Sequence, residues 1–207
     1  MQKFTTKTIV SLSVLVALQI VLTRFCSFSA WNVRIGFGFV ALVIAAVVHG
    51  PVAAALVGGL GDMIGAIAFP TGSYFPGFTL TQVLMGLSFG LALYRKPLHV
   101  SEANAVDPHA DGAAASALDA AAASVLAAAL PLPVRATFAV LFNQLVLSLL
   151  MNTLWISILY GSSFTGLLTT RVIQVMQAAV TAPIQIAVVL TLAGILRRRD
   201  IQQVLAA

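Results

Sequence analysis

Long apolar runs alternate with short polar or turn-forming breaks along most of this chain. A helix needs roughly 20 apolar residues to cross the hydrocarbon core of a bilayer. By that measure the runs predict six membrane-spanning helices, at approximately 8–24, 34–49, 51–68, 79–95, 134–159 and 166–196. The expected fold is an all-α integral membrane protein: one compact bundle of six transmembrane helices over residues 1–207, with both termini on the same side. The first run is followed by no A-x-A-like cleavage site and leads through Arg24 into further spans, so it reads as a helix and not as a signal peptide.

Two segments interrupt this rhythm. FPTGSYFPGFTLTQ (69–82) carries four aromatics, two prolines and two glycines in its first ten positions and no charge. It is too irregular to span a membrane and too apolar for an idle surface turn. Residues 97–133 are Ala-rich and hold four of the six acidic residues. They read as a linker insert, with a helical piece near 113–130 that ends before Pro131 and Pro133. His99 and His109 lie in this insert without the spaced partners a metal site needs, and His49 lies in an H-G-P turn.

Within the spans, polar residues are few and spaced. Gln144, Ser148, Asn152 and Trp155 recur at helical intervals on the fifth, and Arg171, Gln174, Gln177, Thr181 and Gln185 on the sixth. Polar groups in lipid must face the bundle interior or a cavity. Interhelical hydrogen bonds account for some of them; two facing stripes headed by Trp155 and Arg171 suggest a wet pocket opening at one end. Pro183 is expected to kink the last helix. Gly58, Gly61 and Gly65 on the third span, and Gly86 and Gly90 on the fourth, stand where helix backbones can approach closely. Ser13 and Ala17 make a similar step on the first span, available to this bundle or to a partner protein. Asp62 is the one acidic residue inside a span. It is a candidate to pair with an arginine, to meet the amide-type edge of a ligand, or to stay neutral within a structural hydrogen bond.

Composition agrees with the membrane reading: 60% of residues are hydrophobic and 8% charged, with a mean hydropathy of +1.02, against about 25% charged in soluble domains. The single cysteine, Cys26, excludes an internal disulfide and is expected to pack. Lys3, Lys7, Arg95, Lys96, Arg135, Arg197, Arg198 and Arg199 fall on one side of the six-span arrangement and Arg24, Arg34 and Arg171 on the other. The excess marks the cytoplasmic side, which puts both termini inside and the 69–82 loop outside, and explains a pI near 10.0 without nucleic acid. Each of the three outer arginines abuts a helix end. Singly, each could meet lipid headgroups; together they suit an anionic ligand, because guanidinium grips carboxylate through two parallel hydrogen bonds.

Catalytic signatures are missing. The sequence has no G-x-x-x-x-G-K-[ST], no G-x-S-x-G and no H-E-x-x-H. Asp62 alone cannot form a carboxylate dyad, and the histidines lie at or beyond the cytoplasmic edge. The chain is read as a non-enzyme with an outward ligand site, and with no metal or cofactor.

RIGFGFVALVIAAVVHGPVAAALVGGLGDMIGAIAFPTGSYFPGFTLTQVLMGLSFGLALYRK resembles the substrate-binding S components of energy-coupling-factor (ECF) vitamin transporters, and most of all their folate-specific branch. The resemblance lies in the arginine closing the first helix, the R-I-x-F-G-F opening of the second, the G-x-x-x-D of the third and the FPTG-x-YFPGFTL loop. NTLWISILYG (152–161) and the P-I-Q of the last helix extend it to about 160 residues, all but the 97–133 insert.

That resemblance implies a six-helix S component in the bacterial plasma membrane that captures a vitamin outside. It implies partners: a transmembrane coupling subunit (EcfT) and two ATPases. Ser13 and Ala17 would meet the coupling subunit, although the motif here reads S-x-x-x-A where the family has A-x-x-x-A. Folate fits the residues. Arg24, Arg34 and Arg171 would take its glutamate carboxylates, and Trp155, Tyr74, Phe75, Phe78, Asn152 and Gln82 would stack on or hydrogen-bond its ring system. The 69–82 loop would then be a lid. The alternatives are an S component for pantothenate or a queuosine precursor, and an autonomous secondary carrier, which should show inverted repeats.

Overall fold

The computed structural model describes residues 6–30, 33–70, 74–94 and 130–196. Most of the 97–133 insert, with His99 and His109, lies outside them, as do the terminal basic residues Lys3 and Arg197–Arg199.

The first helix, α1 (Thr6–Arg24), leads into a short antiparallel hairpin, β1 (Phe28–Ala30) and β2 (Val33–Ile35), with Ser29 opposite Arg34. Then come α2 (Phe39–Val48), α3 (Pro51–Ala68) and α4 (Pro76–Leu93). A continuous helical rod, α5 (Leu132–Tyr160), contains a π-helical stretch at Asn143–Met151. The short α6 (Phe164–Thr170) and the long α7 (Val172–Leu196) complete the bundle.

Local sequence sets the boundaries. Pro51 and Pro76 open α3 and α4 at a position where a missing N–H costs nothing. Gly50 precedes Pro51 with a φ of 96°, and Gly161 closes α5 in the left-handed region with a φ of 61°, conformations that side chains with a Cβ rarely adopt. His49, in the turn between α2 and α3, is half-buried; desolvation pushes its pKa below the usual 6.5 and favours the uncharged ring.

Among the described residues, five helices are long and apolar enough to cross a membrane: α1, α3, α4, α5 and α7. The second expected span, 34–49, is different. Its first residues form β2, and the helix that follows has ten residues, about 15 Å of rise. Phe39, Ala41, Leu42, Val43, Ala45, Ala46 and Val47 of α2 are all buried. A helix that is apolar all round belongs at the centre of its bundle, and α2 is sheathed by α1, α3, α4 and α7.

Glycine governs how the sheath closes. A Cβ on Gly58 would strike the Gln82 carbonyl of α4, one on Gly86 the Ala54 carbonyl of α3, and one on Gly90 the Pro51 backbone. These contacts run in opposite sequence directions, so α3 and α4 are antiparallel and touch backbone to backbone. On α3, Gly61 lies against the Gln19 side chain and Gly65 against the Arg24 guanidinium, both of α1. Here numbers rise together, so α1 and α3 run parallel. Ser88 and Thr81 of α4 meet Asn143 and Trp155 of α5, which is antiparallel again. The end of α1, the hairpin, the α3–α4 connection, the end of α5 and the start of α7 therefore gather at one end of the bundle.

Of the two expectations for the polar stripes, interhelical hydrogen bonding is the one seen. Gln144 donates to Gln185 at 3.0 Å and to Thr181 at 3.3 Å, so the two stripes bond to each other. The neighbouring cavity of about 670 Å³ between α5 and α7 is lined by aliphatic side chains, with Gln144 as its hydrogen-bonding member. The π-helical stretch breaks the 3.6-residue period, so Gln144 and Trp155 no longer share a face. Pro183 sits inside α7, which continues through it. Cys26 is exposed beyond α1, where packing was expected.

Gly86→Ala should lower stability by about 1–3 kcal/mol, since the new methyl must displace α3 backbone. Gly194→Ala, with nothing within 4 Å of the added carbon, should be neutral or stabilising. Thermal unfolding of the two variants in detergent measures the difference.

Candidate functional site

At the gathered end, Arg24 closes α1 with its side chain 10% exposed, and a terminal guanidinium nitrogen lies 4.0 Å from Asp62 Oδ1 on α3. Gly65 leaves the space that this guanidinium crosses. Thr79 Oγ1 donates to the other Asp62 oxygen at 2.8 Å, and the Tyr74 hydroxyl stands 3.1 Å from Thr79 Oγ1. Asp62 thus stands beside an arginine and also accepts a hydrogen bond from a hydroxyl of α4. The pair also ties Tyr74, just before α4, to the middle of the bundle.

A second cluster joins α4 to α5. Trp155 Nε1 donates to Thr81 Oγ1 at 2.9 Å, and its ring lies against Gly77, where any side chain would collide with it. The Phe75 ring packs on Trp155 with centroids 5.8 Å apart, and on Phe78 at 6.1 Å. Aromatic pairs at such tilted, offset separations are favourable beyond the area they bury. Only the front of FPTGSYFPGFTLTQ is a connection, because α4 begins at Pro76. Phe78, Thr79 and Gln82 occupy its first turns, which fixes their direction more firmly than a loop would. Phe69, capping α3, meets Phe25 beyond α1 edge to face at 5.2 Å.

Arg171 occupies the break between α6 and α7. Its Nη1 reaches Thr153 Oγ1 of α5 at 3.4 Å and Gln174 Oε1 at 3.3 Å. Asn152 is half-buried beside Thr153. Gln82 has a buried Oε1 without a hydrogen-bond partner. Arg34 stands in β2, a strand in contact with α7, and the structure describes its backbone alone.

The structure thus brings Arg24 to Asp62, Tyr74 to the same network through Thr79, and Phe75 and Phe78 to Trp155. It binds Arg171 to α5, and no described contact links the arginines to one another. Ser13 and Ala17 lie elsewhere, exposed on the outer face of α1. Sequence reasoning missed Thr79, Thr81 and Gln19, whose side chain is buried at 1% exposure on α1. The hydroxyls gave no signal apart from their partners. Gln19 gave one, as a lone carboxamide in an apolar run.

A helical membrane bundle with cationic, carboxamide and aromatic side chains gathered at one end is built to hold a solute. Residues 7–193 match the family described as "ECF transporter, substrate-specific component", and the chain belongs to that family. It is 30% identical over 160 residues to the folate transporter FolT of Clostridium novyi (strain NT), covering 77% of this chain and 74% of that one. It is 32% identical over 93 residues to FolT of Leuconostoc mesenteroides subsp. mesenteroides, covering 45% and 50%. Among solved structures, FolT bound with folic acid matches with a TM-score of 0.67 at 24% identity, over 91% of this chain and 92% of that one, a likeness of fold.

Trp155→Phe keeps the ring and loses its hydrogen bond to Thr81. It should cost about 1 kcal/mol in unfolding free energy, read from denaturant unfolding in detergent, whereas Trp155→Ala should cost considerably more.

Proposed function

We propose that this chain is the folate-binding S component of an ECF uptake transporter. The observation that carries the reading is the arginine–carboxylate–hydroxyl network beside a Trp155–Phe75–Phe78 wall, in a family member related to proteins named folate transporters. Folate presents a flat pterin, an aminobenzoate ring and a tail with two carboxylates. Arg24, Arg34 and Arg171 suit the tail, because guanidinium pairs with carboxylate in planar, two-point fashion. Trp155, Tyr74, Phe75 and Phe78 suit the flat rings, and Asn152 and Gln82 supply carboxamides for ring-edge hydrogen bonds. In this reading Asp62 holds Arg24 in position, and the segment before α4, anchored by Tyr74 and Phe75, acts as a lid.

The same reading puts the gathered end outside and both termini inside the bacterial plasma membrane, following the excess of basic residues on the other side. The chain would capture the vitamin and work with a transmembrane coupling subunit and two ATPases that hydrolyse ATP. Ser13 and Ala17 suit contact with that subunit. They lie in an exposed apolar stripe with Val10, Val14 and Val21, the valines 59%, 62% and 46% exposed, at spacings that share one helix face.

Arg24→Ala should weaken folate binding at least tenfold by calorimetric titration while the protein remains monodisperse. Equal affinity would remove Arg24 from the site, and wild-type protein that takes up pantothenate but not folate would replace the vitamin. Ser13→Leu should leave folate affinity unchanged and reduce ATP-driven folate uptake in proteoliposomes with the complete transporter; normal uptake would refute the contact.

A further inference from the structure

Gln19 has no explanation in the packing of the bundle. It lies on α1 between Gly61 of α3 and Gly38 at the start of α2, and its Oε1 is buried without a donor. Thr23, one turn on, donates to the Gln19 backbone carbonyl at 2.7 Å and not to Oε1. A buried acceptor without a donor is costly, and lipid offers no donor. Packing alone would be better served by an aliphatic residue.

The position has three further features. Gln19 is five residues before Arg24, about 7.5 Å along the helix axis, and the residue that follows its glycine neighbour Gly61 is Asp62. It stands level with the N-terminal end of α2, where the helix at the centre of the bundle begins. Gln82, across α3, also has a buried, partnerless Oε1, and its backbone lies against Gly58, one turn from Gly61. Two residues with an unanswered Oε1 thus adjoin the glycine face of α3, Gln19 through its side chain and Gln82 through its backbone.

We propose that Gln19 forms the floor of the binding site and that its carboxamide hydrogen-bonds the edge of the ligand's flat heterocycle. A primary carboxamide carries an acceptor beside two donors, the complement of a ring edge with adjacent N–H and carbonyl groups. The inference rests on the folate-binding reading and adds to it the residue that selects for the heterocycle as opposed to the anionic tail. A site built to hydrogen-bond a polar edge discriminates strongly, because a ligand without that edge leaves the buried group unpaired.

The test is Gln19→Met, close in volume and without the amide, in the full-length protein in detergent. Folate affinity is measured by titration, and the thermal midpoint is measured without ligand. The expected result is folate Kd raised tenfold or more, with the ligand-free midpoint unchanged or higher because an unsatisfied acceptor is gone. Gln19→Leu serves if the methionine variant does not insert. Folate affinity within twofold of wild type would overturn the proposal and assign the carboxamide to a buried water. Affinity and ligand-free midpoint falling together would overturn it in favour of a packing role. Wild-type protein that binds no folate would instead overturn the reading on which it rests.

Discussion

The constraint on which this structure depends is the absence of a hydrophobic drive between helices in lipid. Apolar side chains gain little by leaving acyl chains for each other, so association must come from close packing and satisfied polar groups. The glycine face of α3 meets that requirement. Gly58 admits the α4 backbone, and Gly61 and Gly65 admit Gln19 and Arg24 of α1. The Arg24–Asp62–Thr79 part of the candidate site is positioned from that face: Arg24 because Gly65 lets it cross, Asp62 because it lies between two of the glycines, and Thr79 because α4 is held close enough to reach it.

The short central helix is the second determinant. With α2 ten residues long and enclosed, the middle of the bundle is helical over about half the hydrocarbon thickness. The start of the 34–49 run is spent on the hairpin and the turn that follows it. Non-helical backbone at such depth is tolerated where protein buries it or where it lines a cavity, so the hairpin and the α3–α4 connection belong at the end where polar side chains collect.

Much of this was legible in the sequence, for identifiable reasons. Runs of about twenty apolar residues have one dominant solution in lipid, and small residues four apart have few uses other than close contact, so the long helices and the close-packing glycines of α3 and α4 could be read directly. The hairpin could not, because three residues, Val33, Arg34 and Ile35, are too few to show a period before the apolar helix that follows. The stripe from Gln144 to Trp155 misled because its interpretation assumed 3.6 residues per turn, and α5 abandons that period at Asn143. Asp62 was visible as an anomaly, but Thr79 as its donor was not, since the hydroxyl lies 17 residues on and only the close approach of α4 makes it a neighbour. The resemblance carried the family, which pattern reasoning alone would have left at a ligand-holding membrane bundle.

The wide-wound stretch of α5 has an effect on how the protein can vary. Each residue of a regular helix turns the chain about 100°, so converting those nine residues to ordinary winding would swing everything beyond them around the axis. Thr153 would turn away from Arg171 and Trp155 away from Thr81, although no side chain had been exchanged. The half of α5 that bonds to α7 through Gln144 and the half that faces the solute end are thus phased independently. An inserted or lost residue within that stretch would act as a rotary adjustment of the mouth while leaving the base of the rod in register.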